Sequence, residues 1–302
     1  MDRQSRAART TQDFRGGGGP SSFVSTHFLY RVVDLPRPFY NQWSSQRRPA
    51  AHALWNWHSA LTHPQPIGEN GTEERQQHFF EEERARAEAG EPMRLVRKEV
   101  WQEAYSVCHE HDLDRSLLAA QVAGARHLHG TVQFETSAAL KRFVGLWAVP
   151  HGQLLAGLAG AGLSIHRQYA GELARGFFHL SRLIFLPQDV KKGKLFLPLD
   201  NLEQRGVSVE QLRTGDIDEG MRGLLWKESV RIRDALAQGR PLIANLSLRQ
   251  RFALKRFWVG ALELLKELER RDFDLWSRPL NLPFVRRVQV YVQTLLGRSV
   301  SQ

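Results

Sequence analysis

The stretch from Gly171 to Leu202, GELARGFFHLSRLIFLPQDVKKGKLFLPLDNL, contains the pattern that decides the fold of this chain. Apolar residues recur at helical spacing up to Pro187, where the sequence predicts a connection that runs to Gly193. That connection ends in a basic turn, Lys191-Lys192-Gly193-Lys194, and a Phe-Leu-Pro triplet follows it. We therefore predict a helix, a lysine-rich turn and a second helical segment.

The same helical periodicity extends in both directions from this stretch. Apolar residues recur three and four positions apart between Leu117 and Ala125, between Leu140 and Trp147, and between Leu254 and Leu268. No segment alternates polar and apolar residues for long enough to predict a strand. These patterns predict an all-α fold, with further connections at Pro150-His151-Gly152 and from Pro279 to Pro283.

The predicted domain organisation is a disordered basic arm at residues 1–22, followed by one helical domain at residues 23–298. Four arginines are scattered through the arm, and Gly16 to Pro20 forbid regular structure. An arginine-rich start is also compatible with mitochondrial import, although Asp2 and Asp13 and the absence of an amphipathic pattern argue against a transit peptide.

Composition limits the classes of protein further. The 302 residues carry a formal net charge of +10 and a single cysteine, Cys108, which excludes an internal disulfide and predicts a buried structural thiol. The longest weakly polar run, Leu154 to Ile165, is shorter than the ~20 residues that cross a bilayer. We predict no integral membrane span and a cytoplasmic location, with peripheral attachment to a membrane as an alternative.

The excess of positive charge is concentrated near the end of the chain. From Leu246 onward there are eleven lysines and arginines against five acids. Such a patch can bind nucleic acid or an anionic membrane, and aromatic residues such as Phe252 and Trp258 interleave with the charges. Their helical spacing with leucines favours packing in the core, so a basic membrane- or nucleic-acid-binding module is an alternative, with nucleic acid the weaker partner.

A search for catalytic or metal-binding motifs finds none. His127 and His129, like His109 and His111, are two positions apart and point in different directions on a helix. There is no HExxH, CxxC, phosphate-binding loop or nucleophile elbow, so we predict no metal site.

A longer-range resemblance remains, carried by short motifs in a fixed order. They are Phe134-Glu135-Thr136, Pro150-His151-Gly152, the Gly171–Leu202 stretch, Gly206-Val207-Ser208-Val209-Glu210-Gln211-Leu212, and Arg271-Asp272-Phe273-Asp274. Together they resemble the squalene/phytoene synthase family over about residues 92–290. The resemblance implies a single-domain helical bundle of the isoprenoid synthase type, whose central cavity takes isoprenoid diphosphates and in which two of them are joined head to head. Ser208 would cap the helix that follows it.

The chain departs from this family where the chemistry needs acids. In the family, two aspartate-rich motifs hold Mg²⁺ ions that bridge the diphosphate. Here only Asp189 matches, and other residue types stand at the remaining positions: Thr62, His63, Pro66, Leu128 and Phe185. One acid cannot replace two clusters, because Mg²⁺ requires several oxygen ligands.

Three hypotheses follow from these departures. The favoured one is a non-catalytic family member, a pseudoenzyme without cofactor, that binds an isoprenoid diphosphate or lipid through the cavity and Asp189, Lys191, Lys192 and Lys194, or acts with a protein partner as an assembly factor. The second is an active Mg²⁺-dependent prenyl-diphosphate transferase that takes carboxylates from the acidic run between Glu73 and Glu83. The third is the basic module described above. For the lysines, the alternative is a solvated turn, and Asp189 is expected to be a turn or cap residue.

Overall fold

The protein is described by a computed structural model in which residues 43–62 and 73–296 are defined. These residues form α-helices and short connections, and within them the β-type pairing is a single isolated bridge between Val132 and Lys194. The all-α prediction is therefore confirmed. The helices are α1 (Arg48–Ala60), α2 (Glu73–Ala89), α3 (Lys98–Glu110), α4 (Ser116–Ala125), α5 (Ser137–Leu158), α6 (Ser164–Ile184), α7 (Leu186–Lys191), α8 (Leu199–Gln204), α9 (Val209–Thr214), α10 (Glu219–Gly239), α11 (Pro241–Ala244), α12 (Leu248–Arg270) and α13 (Phe284–Leu296), with a 3₁₀ turn at Arg126–Leu128 after α4.

The centre of the bundle is formed by α5, α6 and α10, and α6 packs against both of the others. Small residues allow the close approach of α6 and α10: a Cβ atom on Gly239 would lie 2.5 Å from Cγ of Leu173. Aromatic side chains fill the space on the other side of α6, where the Phe143, Phe178 and Phe196 rings lie 5.7 to 6.2 Å apart. The apolar stripes read from the sequence are therefore the core-facing sides of these helices.

The remaining long helices pack around this centre. Helix α4 lies on α5 and is covered by α2, while α1 packs against α3 and α5. The Trp57 and Trp101 rings join α1 to α3 at 5.5 Å. Helix α13 packs on α12 at the end of the described chain. Cys108 is buried, as predicted, and its burial raises the pKa of the thiol to about 12.

Two of the predicted connections are wrong. Pro150, His151 and Gly152 lie inside α5, where Val149 and Leu154 are buried and core packing outweighs the backbone hydrogen bond that proline removes. Helix α7 occupies most of the segment from Pro187 to Gly193, with Pro187 in its first turn, where a missing N–H group costs nothing.

Other local predictions are confirmed. The segment from Pro279 to Pro283 connects α12 to α13. Ser208 caps α9 by accepting a hydrogen bond from the backbone N–H of Gln211 at 3.0 Å. The side-chain oxygen of Gln211 in turn accepts a hydrogen bond from the backbone N–H of Ser208. The predicted arm at residues 1–22, together with His63 and Pro66, lies outside the described residues.

Candidate functional site

The first position at which the resemblance expects an acid lies just after the end of α1. Thr62 is half-buried there, and its hydroxyl donates a hydrogen bond to the carbonyl oxygen of Ser59 at 2.6 Å. A threonine in this arrangement closes the last turn of the helix and offers no carboxylate.

The second expected acid position lies at the junction of α6 and α7. Phe185 stands there, buried, and its backbone N–H donates to the carbonyl oxygen of Ser181 at 3.1 Å. Asp189 follows one turn later and is also buried, in the first turn of α7. Its carboxylate forms an ion pair with Arg182, with Nη1 3.2 Å from Oδ2. The expected turn or cap residue is thus one half of a buried ion pair.

Arg182 is a residue that the sequence did not single out. Its guanidinium lies 5.2 Å from the centre of the Phe196 ring and donates to the hydroxyl of Ser181 at 2.9 Å. It reaches Asp189 across the break between α6 and α7. The two residues are two helical turns apart along the chain, but the direct contact depends on the break at Phe185 that separates α6 from α7.

The basic turn lies directly after Asp189. The Lys194 backbone N–H donates to the carbonyl oxygen of Asp189 at 2.8 Å, and Gly193 has a φ of 70°, which suits glycine. Lys191 and Lys192 are exposed and Lys194 is half-buried. Asp189 and Lys191 thus lie within α7, and Lys192 and Lys194 lie in the turn that follows it.

The turn is fixed to the segment that follows α4. The backbone N–H of Leu195 donates to the carbonyl oxygen of Val132 at 2.7 Å. In the same segment Leu128, another expected acid position, is partly buried and packs against the core. Neighbouring His129 has its pKa lowered to about 4 by burial and by the charge of Lys194. The fold therefore brings the Leu128 segment next to the basic turn.

A small cavity of about 310 Å³, including its opening, lies beside Asp189 and has both apolar and charged lining residues. Its charged and titratable lining residues are His179, Arg182, Asp189 and Glu228. Arg231 donates to both carboxylate oxygens of Glu228, at 2.8 and 3.1 Å. Burial raises the pKa of Glu228, and burial with nearby arginine charge lowers that of His179 to about 3.

These residues do not fit Mg²⁺. Asp189 and Glu228 are each paired with an arginine, at 3.2 and 2.8 Å, and that positive charge disfavours a second cation beside the same carboxylate. Between residues 43 and 62 and between residues 73 and 296, no group of three or more histidines, cysteines or acids is arranged to hold a metal ion. A hard dication needs several oxygen ligands, which this cavity does not supply.

A second, apolar cavity lies between α5, α6, α11 and α12, with a volume of about 750 Å³ including its open mouth. Helix α5 contributes Leu155, α6 contributes Leu173 and Phe177, and the α11–α12 segment contributes Leu246 and Leu254. Its lining is apolar, as in pockets that hold apolar ligands, and it includes none of the expected acid positions Thr62, Leu128, Phe185 and Asp189.

A buried polar stack borders the apolar cavity. His151 lines the cavity and stacks on His58 at 4.2 Å, and His58 stacks in turn on Trp147 at 4.2 Å. Nδ1 of His58 lies 2.8 Å from Oε1 of Gln121, so it carries the proton. Burial lowers the pKa of His58 to about 4 and that of His151 well below its usual value. Sequence spacing could not reveal this pair, because it depends on α1 packing against α5.

The acidic run considered as a replacement for the missing aspartates makes other contacts. Glu83 is buried, but its carboxylate accepts hydrogen bonds from the backbone N–H groups of Arg94 and Leu95, at 2.5 and 2.8 Å. Glu81 and Glu82 are exposed, and Glu82 pairs with Arg94. Glu83 therefore fixes α2 to the chain that precedes α3.

Comparison with known proteins agrees with this architecture. The sequence model described as squalene/phytoene synthase matches residues 44–291. The chain is 29% identical over 164 residues to a phytoene synthase of Thermus thermophilus, covering 51% of this chain and 56% of that protein. It is 25% identical over 165 residues to chloroplastic phytoene synthase 3 of Zea mays, covering 52% of this chain and 38% of that protein. The matched segment thus spans about half of the bacterial relative and less of the plant one.

Solved structures show the same fold at low sequence identity. A squalene synthase from Alicyclobacillus acidocaldarius superimposes with a TM-score of 0.61 and 16% identity, covering 81% of this chain and 99% of that one. A dehydrosqualene synthase in complex with ligand superimposes with a TM-score of 0.67 and 14% identity, covering 86% and 90%.

Proposed function

We propose that this chain, which belongs to the squalene/phytoene synthase family, binds an isoprenoid or another lipid in its apolar cavity and does not transfer prenyl groups. One observation carries the proposal: the retained acid, Asp189, is paired with Arg182 at 3.2 Å, while an apolar cavity lies between α5, α6, α11 and α12. This cavity supplies the apolar lining that such a ligand needs.

The lysines of the basic turn are proposed to contact the anionic head group of the ligand. Lys191 and Lys192 are exposed, and mobile ammonium groups of this kind bind phosphate as point charges. Lys194 is half-buried in the same turn. The role assigned to these residues is binding, and no step of a reaction is assigned to them.

The test uses the purified full-length protein with geranylgeranyl diphosphate. We expect the melting temperature to rise equally with Mg²⁺ and with a chelator, and no pyrophosphate to be released when NADPH is present. A ligand that prefers the folded state stabilises it by about 2.7 kcal/mol at 100 times its Kd. Release of pyrophosphate that requires Mg²⁺ would overturn the proposal in favour of an active transferase.

A matched pair of variants locates the ligand. Ala253→Phe places a ring in the apolar cavity and should remove most of the ligand-induced rise in melting temperature. Ala237→Phe makes the same change at an exposed position of α10 and should leave that rise intact. An unchanged rise in Ala253→Phe, with the variant still folded, would exclude the cavity. A protein partner and an assembly role stay predictions that this experiment does not address.

A further inference from the structure

Helix α13 has an apolar face that is exposed in the described part of the chain. Its large apolar side chains on this face are between 42% and 75% exposed. They are Phe284, Val285, Val288, Tyr291, Val292 and Leu295. Soluble domains rarely expose so many large apolar side chains together unless another surface covers them.

These residues form one stripe. At 100° per residue they fall within an arc of roughly 120°, opposite the face that carries Val290 and Thr294. Both of those residues are buried, and the backbone carbonyl oxygen of Thr294 accepts a hydrogen bond from Nζ of Lys255 at 3.1 Å. One side of α13 is therefore fixed to α12, and the other side presents a continuous apolar surface.

The apolar stripe continues onto the start of α12. The end of α13 lies against the first half of α12. Thr294 contacts Lys255, and the Tyr291 ring lies 5.8 Å from the Phe252 ring. Leu248, the first residue of α12, is 81% exposed. Its neighbours Leu246 and Gln250 line the apolar cavity. The exposed stripe and the cavity are thus on the same part of the molecule.

Charge around this surface has one sign. The sequence contains no acid from Arg240 to Leu262 and none from Leu275 to the end of the chain. Exposed arginines accompany the apolar residues in both segments, with Arg249 beside Leu248 and Arg278 ahead of α13. Glu263 of α12 does reach α13, but it is buried and pairs with Arg286 at 3.7 Å. Apolar segments that carry exposed arginines and no exposed acid match the interface of an anionic bilayer.

We propose that α13 and the start of α12 dock this protein on an anionic lipid bilayer. The apolar stripe lies in the interface between head groups and acyl chains, and the arginines at its edge contact lipid phosphates. The proposal stands apart from ligand binding in the cavity, because it rests on the outer surface of α13. None of the described helices is long and apolar enough to cross a membrane.

The test is flotation of the full-length protein with vesicles of phosphatidylcholine alone and vesicles that also contain phosphatidylglycerol. The triple variant Val285→Gln, Val288→Gln, Val292→Gln should bind the anionic vesicles at least tenfold more weakly. The control is Trp226→Gln, which removes a 53% exposed apolar side chain from α10 and should bind like the unmodified protein. Equal binding of the triple variant and the unmodified protein would overturn the proposal.

A second pair of variants tests the charge. Arg249→Gln with Arg278→Gln should weaken binding to the anionic vesicles several-fold, and added salt should reduce that difference. Arg84→Gln with Arg213→Gln removes two exposed arginines elsewhere and should have little effect. Equal affinity for the neutral and anionic vesicles would contradict the assigned lipid.

Other occupants of the surface give different results. If a second copy of the chain covered α13, light scattering would show a dimer that the triple variant converts to a monomer, and the vesicle proposal would fail. Geranylgeranyl diphosphate should raise the melting temperature of the triple variant as it does that of the unmodified protein. Loss of vesicle binding alone is therefore distinguishable from failure of ligand binding in the cavity.

Discussion

Asp189 matches the residue type of the family motif, but its carboxylate pairs with an arginine. The carboxylate lies 3.2 Å from Nη1 of Arg182, and both side chains are largely buried. A buried acid paired with arginine is held in place by that charge and cannot also serve as a free metal ligand. The sequence located the position, but the partner became visible only once α7 was placed against the end of α6.

We expect Asp189→Asn to lower the free energy of unfolding by about 3 kcal/mol, because it removes the carboxylate charge that lies 3.2 Å from the largely buried guanidinium of Arg182. Urea denaturation measures this change. Lys192→Gln alters an exposed side chain of the neighbouring turn and should leave the midpoint unchanged. An Asp189→Asn protein as stable as the original would show that the ion pair is not structural.

At the scale of the helices, the contact between α6 and α10 depends on missing side chains. A Cβ on Gly239 would lie 2.7 Å from the backbone nitrogen of Leu173, and one on Gly176 would lie 2.8 Å from Cγ of Leu236. Real Cβ contacts are almost never so short, so the two helices approach closely only because these residues are glycine. Leu173 also lines the apolar cavity, which connects this packing to the candidate site.

Gly239→Ala should therefore lower the free energy of unfolding by about 2 kcal/mol, since the added methyl group must push Leu173 or its backbone aside. Gly145→Ala is the matched control inside α5, where nothing lies within 4 Å of the added Cβ. There alanine should stabilise the protein by about 0.5–1 kcal/mol through helix propensity. Urea midpoints of the two variants should move in opposite directions, and a shift of both in the same direction would contradict the model of the α6–α10 contact.

For the whole molecule, several histidines are held in the neutral form by full or partial burial: His58 and His151 are buried, and His129 and His179 are half-buried. The pKa is lowered to about 4 for His58 and His129 and to about 3 for His179, and it is also lowered for His151. Burial is the largest cause in each case. The same residues titrate near their ordinary value of 6.5 in the unfolded chain, so below that pH the unfolded state binds more protons.

The free energy of unfolding should fall as the pH drops from 7 to 5, with a slope of up to about 1.4 kcal/mol per pH unit for each such histidine. Above pH 7 these histidines should contribute no pH dependence. Urea denaturation across this range measures the slope. His58→Gln removes one titrating group and should flatten the curve, even if the variant is less stable at every pH. A curve that is flat or rises on acidification would be inconsistent with neutral buried histidines.

The sequence by itself determined the helical class, the order of the motifs and the loss of carboxylates at Thr62, Leu128 and Phe185. Helical periodicity is a local property, and the identity of a residue needs no structure. The predictions at Pro150 and Pro187 were wrong. Proline usually ends a helix, but Pro150 lies inside α5, where core packing compensates for the lost hydrogen bond. Pro187 lies in the first turn of α7, where no hydrogen bond is lost.

Only the tertiary structure decided which groups meet. Three contacts join separate elements. Asp189 pairs with Arg182, and His58 stacks on His151. The Glu83 carboxylate accepts hydrogen bonds from the backbone N–H groups of residues 94 and 95. The exposure of one face of α13 likewise depends on which face α12 covers. Local patterns give the direction of a side chain on its own helix, but its partner and its exposure are set by long-range packing, which no spacing along the chain encodes.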